Sequence, residues 1–468
     1  MQGAGTGKKN IVLILAVIAS TILMDGLDGS IVNIALPALA SDFGTDTGTI
    51  AWVSTIYLVM LAGLLITFAR IAKNGMIKRV LVIGLIIFTA SSLLCGISTS
   101  FEMLLVFRAL QGIGAAMMGA AVPMACVRYL PAANLGLGMG VLTLGFSLGF
   151  ALGPVVGGIL TDLLSWHWIF LINVPIGLLI ILLAVWVIPK DEGYAVGQLD
   201  IAGAVLLFSA ILCGIFAIER IPHQGSVYMV VPAAIGCIIF LAAFIFIERR
   251  KMNPLLNLRV FRHWKFNSVL LAYLLANLTY MGMLYMLPFY MEVCMGFSPY
   301  TSGLYIFISP LLTLLLCVPM AIWSDRTERR AFSVTACAVL AAGGLILFLF
   351  GADSLVLPLV AALVCMGLTW ALCGGPMASR IIENTEDESK EVGSSIMAEA
   401  IYLGSALGMA VFAMLFVAGS GSGNISFSDL PKDVFLDGFL FSMAAATVIA
   451  AAAAVLSFIV KEPKRYRT

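Results

Sequence analysis

The chain has 468 residues, of which 61% are hydrophobic and 11% are charged, whereas an ordinary soluble domain is about 45–50% apolar and about 25% charged. Its 26 Lys+Arg and 25 Asp+Glu give a formal net charge of +1, so global charge selects no nucleic acid as partner. These figures exclude a cytosolic enzyme, a disordered chain and a secreted disulfide scaffold. They predict an all-α polytopic membrane protein, since about 20 apolar residues cross a bilayer as one helix.

Taken in chain order, the N-terminal tail contains Gly3-Ala-Gly-Thr-Gly7-Lys8-Lys9. It looks like a phosphate-binding loop, but it is one residue short and no strand precedes it. Beyond it, apolar runs between polar punctuation predict fourteen spans, at about 11–37, 49–69, 80–98, 103–127, 136–160, 167–188 and 201–219 in the first seven, then 228–247, 267–291, 301–323, 332–350, 355–379, 393–418 and 437–460. The first run is too long for a signal-peptide core and should stay in the membrane. With the N-terminus inside, 23 of the 26 basic residues fall in cytoplasmic segments. Only Arg220 and Lys432 fall outside, and Arg108 lies within a span. One missed helix would scramble that split, so cytoplasmic termini are expected.

The nine cysteines lie in or beside apolar runs without zinc or redox spacing, and read as small buried hydrophobes. No metal site is expected.

Span 1 carries Asp25 and Asp28, then Asn33 and Pro37; span 2 carries Tyr57. The loop after span 2, Ala69 to Arg79, resembles the loop after span 10, which contains Asp325, Arg326, Arg329 and Arg330. Both end in paired basic residues. A repeat of six spans with two spans inserted follows, and six-helix repeats are a transporter architecture. The expected units are an N-terminal six-helix bundle (1–190), two inserted helices (191–250), and a basic linker with a C-terminal six-helix bundle (251–468).

Span 4 carries Arg108-Ala-Leu-Gln111-Gly112-Ile-Gly114, and span 5 carries Gly145, Gly149, Gly153-Pro154 and Gly157-Gly158. The glycines at four-residue spacing form a smooth face for a close helix contact, and Pro154 should bend the helix. Span 6 opens with Trp166-His-Trp-Ile-Phe-Leu-Ile-Asn173-Val-Pro175. Together with Asp28-Gly-Ser-Ile-Val-Asn33-Ile-Ala-Leu-Pro37, these motifs resemble the major facilitator superfamily. The similarity is to its fourteen-span drug:proton antiporters, the multidrug exporters of the quaternary-ammonium type, and covers nearly the whole chain. Two departures stand out. Lys73 and Met76-Ile77 replace the usual Asp and Gly-Arg of the loop after span 2, and His167 replaces an Arg.

Charged side chains deep in a membrane cost at least about 2.5–3.5 kcal/mol and tend to be functional. Asp28 and Arg108 fall at similar depths of the outer half at 1.5 Å per residue, so they should pair. Asp28 is then either a proton carrier or half of a static ion pair. Asp25 lies one turn away on the same face. Glu399 stands alone in a Gly/Ala-rich span 13, as a candidate for cation attraction or a second proton site. Gln111 reads as packing. Asn277, Tyr280 and Met283 of span 9, with Tyr57, Trp370, Asn33, Asp28 and Glu399, are candidates to line a substrate cavity. Aromatic faces attract cations and Met adapts to varied ligands; ordinary helix packing is the competing reading for each.

The resemblance implies two six-helix bundles rocking about a central site. Protons would drive export of lipophilic, chiefly cationic, compounds across the cell membrane, without cofactor or nucleic acid, by a monomer. Asp25, Asp28, Arg108 and Glu399 are the expected coupling residues; the span-5 motif and Asp325, Arg326 and Arg330 are the expected gating elements. The alternatives are a dedicated exporter of one metabolite, antibiotic, lipid or peptide, and a non-transporting receptor or scaffold.

Overall fold

The computed structural model describes residues 8–131, 134–191, 200–221, 226–251, 258–327, 329–383, 390–421 and 425–460. Its long helices are α1 (Lys8–Asp42), α2 (Trp52–Ile71), α3 (Ile77–Gly96), α4 (Phe101–Tyr129), α5 (Leu135–Leu163), α6 (Asn173–Val187) and α7 (Ile201–Arg220). They continue with α8 (Val227–Glu248), α9 (Trp264–Val293), α10 (Ile308–Arg326), α11 (Arg329–Phe350), α12 (Val356–Glu383), α13 (Lys390–Ser420) and α14 (Lys432–Ile459). No strand occurs among the described residues. Among the described residues, thirteen stretches are long and apolar enough to cross a membrane. One of them, Thr47–Gly96, is 50 residues long, more than one crossing needs. It breaks between α2 and α3 at Gly75, whose φ of 96° is a conformation that glycine adopts freely.

Helix packing repeats along the chain with an offset of eight helices. Helix α1 packs on α5 as α9 does on α13; α2 and α3 pack on α4 as α10 and α11 do on α12. Likewise α1 and α3 contact α6 as α9 and α11 contact α14. The pair left out, α7 and α8, pack on each other, and α7 also touches α2 and α13.

In lipid, apolar surface gives no drive for helix association, so close van der Waals contact must supply it. The α1–α5 contact shows how. A Cβ at Gly149 would lie 2.2 Å from the Leu23 carbonyl oxygen, and one at Gly153 only 1.9 Å from Ser30 Oγ. Gly145 and Gly157 face α1 in the same way, while Gly158 faces the backbone of Pro299. Gly149→Val must therefore push α1 off α5. We expect it to lower the melting temperature of the purified protein by several degrees, as overpacking costs about 1–3 kcal/mol; an unchanged melt would contradict this packing.

The halves meet asymmetrically along the membrane normal. At the end opposite the basic loops, one core joins them, with Ile31, Leu39 and Val53 packed with Leu284, Phe289 and Phe412. Tyr285 of α9 donates its hydroxyl to the Thr47 carbonyl, Phe427 N donates to Thr45 O at 3.0 Å, and the Phe289 and Phe427 rings meet at 5.2 Å. A Cβ on Gly303, in the short helix Pro299–Ile306, would lie 2.2 Å from Pro154 O. Toward the basic end the cores separate, one around Phe88, Met118 and Ile180 and one around Phe266, Met377 and Ile381. The halves are therefore joined at the end opposite the basic loops and parted at the basic end.

At the basic end the expected acidic residue of the α2–α3 loop has a substitute. Asp191, just beyond α6, accepts from the backbone N–H groups of Lys78 at 2.8 Å and Arg79 at 3.0 Å, capping α3. Lys78 Nζ in turn donates to the Val185 and Ile188 carbonyls at the end of α6. Arg380 does the same for α14, reaching the Ser457 and Val460 carbonyls; Arg330 reaches Phe458 O. Asp325 and Arg326 close α10, and their side chains lie outside the described residues.

Helices α7 and α8 are joined at the same end by Asp200, which caps α7 at Gly203 N and pairs with Lys251. Burial works against the Asp200 charge, but hydrogen bonds with Glu248, Lys251 and Gly203 outweigh it and hold its pKa below 3.8. A lowered carboxylate pKa contributes stability above the unfolded value and loses it as pH falls through the folded one. The melting difference between wild type and Asp200→Asn should therefore be constant above about pH 5 and close below 3.8. A pH-independent difference would contradict the assignment. The nine cysteines are free, five of them buried.

Candidate functional site

Two polar assemblies lie near the middle of the bundle, separated by one tyrosine. The first is a closed network within the N-terminal helices. Arg108 Nη1 on α4 donates to Asp28 Oδ2 on α1 at 3.0 Å. The other Asp28 oxygen accepts from Gln111 Nε2 at 2.9 Å and from Asn173 Nδ2 of α6 at 2.8 Å. Arg108 also donates through Nε to Val53 O at 2.9 Å and through Nη1 to Gln111 Oε1 at 2.6 Å. Gln111 donates to Ser92 Oγ of α3 at 2.8 Å. A buried ion pair offsets its desolvation only when its remaining valences are satisfied. Here residues of α1, α2, α3, α4 and α6 all contribute, so the Asp28–Arg108 pair expected from depth is present as a junction of five helices.

Gln111, expected to serve helix packing, links α4 to α1 and α3 through hydrogen bonds to Asp28 and Ser92. Asn173, in the motif that opens span 6, joins this network because α6 turns its amide toward Asp28.

The second assembly is a cavity of about 320 Å³ between the halves. Asp25 and Tyr57 line it from the N-terminal side, and Asn277, Tyr280, Trp370 and Tyr402 from the C-terminal side. Trp370 meets Tyr280 edge-to-face at 5.7 Å and Tyr273 at 5.9 Å. Tyr280 is fixed by Ser309 Oγ at 3.1 Å. Asn277 donates to Ile401 O and to Ser405 Oγ, while its own oxygen is buried with no partner among the described residues. The wall thus offers aromatic faces, one carboxylate and one free acceptor.

Tyr57 forms the partition. Its hydroxyl donates to Asp25 Oδ1 at 3.1 Å on the cavity side. Its ring carries the Arg108 guanidinium 4.3 Å from the ring centroid, within range for a cation–π contact. Asp25 and Asp28, one helical turn apart, consequently face different assemblies.

Several expected cavity residues lie elsewhere. Asp28 belongs to the closed network and does not reach the cavity wall. Asn33 is buried and accepts from Ser54 Oγ at 3.3 Å. Met283 is fully buried in the core opposite the basic loops, and Met281, two residues away, lines the cavity instead. Two residues apart, the two methionines lie on roughly opposite faces of α9, and the helix rotation decides which one meets the cavity. Glu399 faces a separate cavity. Tyr402, absent from the sequence reading, is on the wall because Ile401, Tyr402 and Ser405 share the inner face of α13. His167 stacks on Trp166 at 3.6 Å near the seam opposite the basic loops. Trp166 donates to Asp42 at 2.8 Å.

Comparison with known proteins now adds the family. The model of the Major Facilitator Superfamily matches residues 18–409. The chain belongs to the Major Facilitator Superfamily. This superfamily member is 28% identical over 403 residues to a multidrug resistance protein B homolog of Mycobacterium tuberculosis, covering 84% of this chain and 74% of that one. It is 29% identical over 407 residues to a lincomycin resistance protein of Streptomyces lincolnensis, covering 83% and 81%. It is also 27% identical over 407 residues to the riboflavin transporter RibZ of Clostridioides difficile, covering 86% and 88%. Among solved structures, a bacterial homolog of the human lysosomal transporter Spinster, inward-facing and unoccupied, matches with a TM-score of 0.67 at 15% identity over 97% of each chain. That likeness shows the fold alone. The protein is a multi-pass membrane transporter of this superfamily, not an enzyme.

Proposed function

We propose that this transporter is a fourteen-span proton-coupled exporter of lipophilic cations, working by alternating access. The fourteen spans count α2 and α3 as separate crossings, and both chain ends lie in the cytoplasm. The rocking units are residues 1–190 and 251–468, with 191–250 inserted. The observation that carries the substrate class is the central cavity, where Asp25 is the one carboxylate among the lining residues and Tyr57, Tyr280 and Trp370 supply aromatic faces. Such a site attracts an organic cation and desolvates little else. The relatives that are multidrug and lincomycin resistance proteins support export of foreign compounds. RibZ favours the second reading, a dedicated transporter of one metabolite.

In the proposed cycle, Asp25 holds either a proton or the cation, never both. Protonation of Asp25 removes the charge assistance from the Tyr57 hydrogen bond, and Tyr57 also bears on Arg108, so occupancy at Asp25 is transmitted to the Asp28–Arg108 junction of five helices. The glycine seam around Gly158 and Gly303 closes the outer path, and Asp325, Arg326 and Arg330 belong to the inner gate. The reading uses no cofactor, only the proton gradient, and a monomer suffices. Exchange of two protons for one monovalent cation moves one net charge, which at 100 mV releases about 2.3 kcal/mol, enough for roughly fifty-fold accumulation.

Uptake of tetraphenylphosphonium into inside-out membrane vesicles tests the reading. Uptake that appears on acidifying the vesicle lumen and collapses with a protonophore is expected. Uptake unaffected by the protonophore would overturn proton coupling, and uptake of riboflavin-like neutral compounds alone would favour the second reading.

A further inference from the structure

A second cavity, of about 400 Å³, lies outside the central site on the side of the inserted helices. Its walls are apolar: Ile211, Gly214 and Ile215 of α7, Leu241 of α8, Leu274 of α9 and Leu403 of α13. Phe261, from the turn preceding α9, also lines it. Into this space projects one carboxylate, Glu399. Both of its carboxylate oxygens are shielded, and neither has a hydrogen-bond partner among the described residues. Helix α13 thus presents two unlike faces, with Tyr402 and Ser405 on the central cavity and Glu399 and Leu403 on the outer one.

We infer that this cavity is a second binding site, built by the inserted helices for a lipophilic monovalent cation that arrives from the membrane. A carboxylate with no partner in an apolar enclosure persists only if protonated or accompanied by a cation. The volume falls in the range of sites for drug-sized molecules, about 300–1,000 Å³. One carboxylate balances one positive charge. A divalent or strongly hydrated ion would leave charge or hydration uncompensated against Leu and Ile walls, whereas a delocalised or alkylated cation has its charge spread over apolar surface. Entry from the bilayer fits the position, since Leu241 on the wall is 43% exposed and α8 turns Ile238, 67% exposed, outward.

The same chemistry has two sources, a free lipophilic cation or the ammonium headgroup of a membrane lipid. Binding here does not require that the central cavity transport anything, so the test reads binding. Purified full-length protein in phosphatidylcholine nanodiscs would be titrated with radiolabelled tetraphenylphosphonium, using Asp25→Asn as the background that removes the central carboxylate. The site should remain in that background and weaken at least tenfold on adding Glu399→Gln. Glu399→Asp should retain it. Ile211→Trp, which fills the cavity from α7 without touching the carboxylate, should also abolish it. Binding that survives both Glu399→Gln and Ile211→Trp, or binding wholly lost with Asp25→Asn alone, would overturn the proposal. Repeating the titration in dodecyl maltoside micelles, which carry no ammonium group, and then adding phosphatidylcholine back separates the sources. Competition would identify a lipid ammonium as resident occupant of the proposed site, and undiminished binding would identify the free cation; both support the site.

Discussion

Arg108→Ala is expected to give the largest loss of stability of any single substitution in the chain, about 3–5 kcal/mol, because it strands the Asp28 carboxylate in the interior. The side chain is 1% exposed and its donors go to Asp28, Gln111 and the Val53 carbonyl. Truncation leaves all three acceptors short of a donor and opens a void between α1, α2 and α4. Adding Asp28→Asn to Arg108→Ala should recover part of the loss, since the uncompensated charge is gone while the amide keeps some hydrogen bonds to Gln111 and Asn173. Thermal unfolding of the single and double variants checks this. Additive losses would show that the two residues do not act as a pair. Asp28→Asn alone strands Arg108 and should also be costly, so a transport defect in that variant needs a folding control.

Asp25→Asn, by contrast, should leave the fold intact and remove function. Among the described residues Asp25 accepts one hydrogen bond, from Tyr57, and it lines the cavity; asparagine is isosteric and its carbonyl can still accept. What disappears is the charge. A charge-assisted contact is worth about 1.5–3 kcal/mol, which corresponds to about 10–100-fold weaker binding of a cation. Proton coupling at this position should disappear altogether, since an amide does not titrate in the working range. Equilibrium binding and transport in the same preparation separate the two losses. Tyr57→Phe should retain binding but weaken the dependence of transport on the pH gradient. A Tyr57→Phe variant with wild-type coupling would remove the partition from the mechanism.

The span pattern and the eight-helix offset were legible in the sequence because a bilayer forces hydrogen-bond-complete helices of nearly fixed length. The basic residues then marked one set of loops. The Asp28–Arg108 contact was legible too, since helix rise alone brings two charges to one depth. The span-5 glycines announced a close contact, and the structure identifies α1 as the partner. Helix rotation and the fold's long-range contacts were not legible. Asp25 and Asp28 differ by less than a full turn of helix, yet one lines the cavity and the other is sealed among five helices. Met281 and Met283 differ in the same way. Asp191 could not be matched to the start of α3 from sequence, because 113 residues separate it from Lys78 and nothing local pairs them. The cavity around Glu399 depends on where α7 and α8 pack, and neither helix carries a motif.

One measurement bears most directly on proton-coupled export. Purified protein would be reconstituted in liposomes with an imposed pH gradient and a trapped pH dye. Tetraphenylphosphonium, a neutral drug and an organic anion would be added in turn. We expect the cation alone to trigger proton movement, and the response to vanish in Asp25→Asn while the variant remains folded. Proton movement of wild-type size in Asp25→Asn, or no response to any cation from folded wild-type protein, would contradict the account.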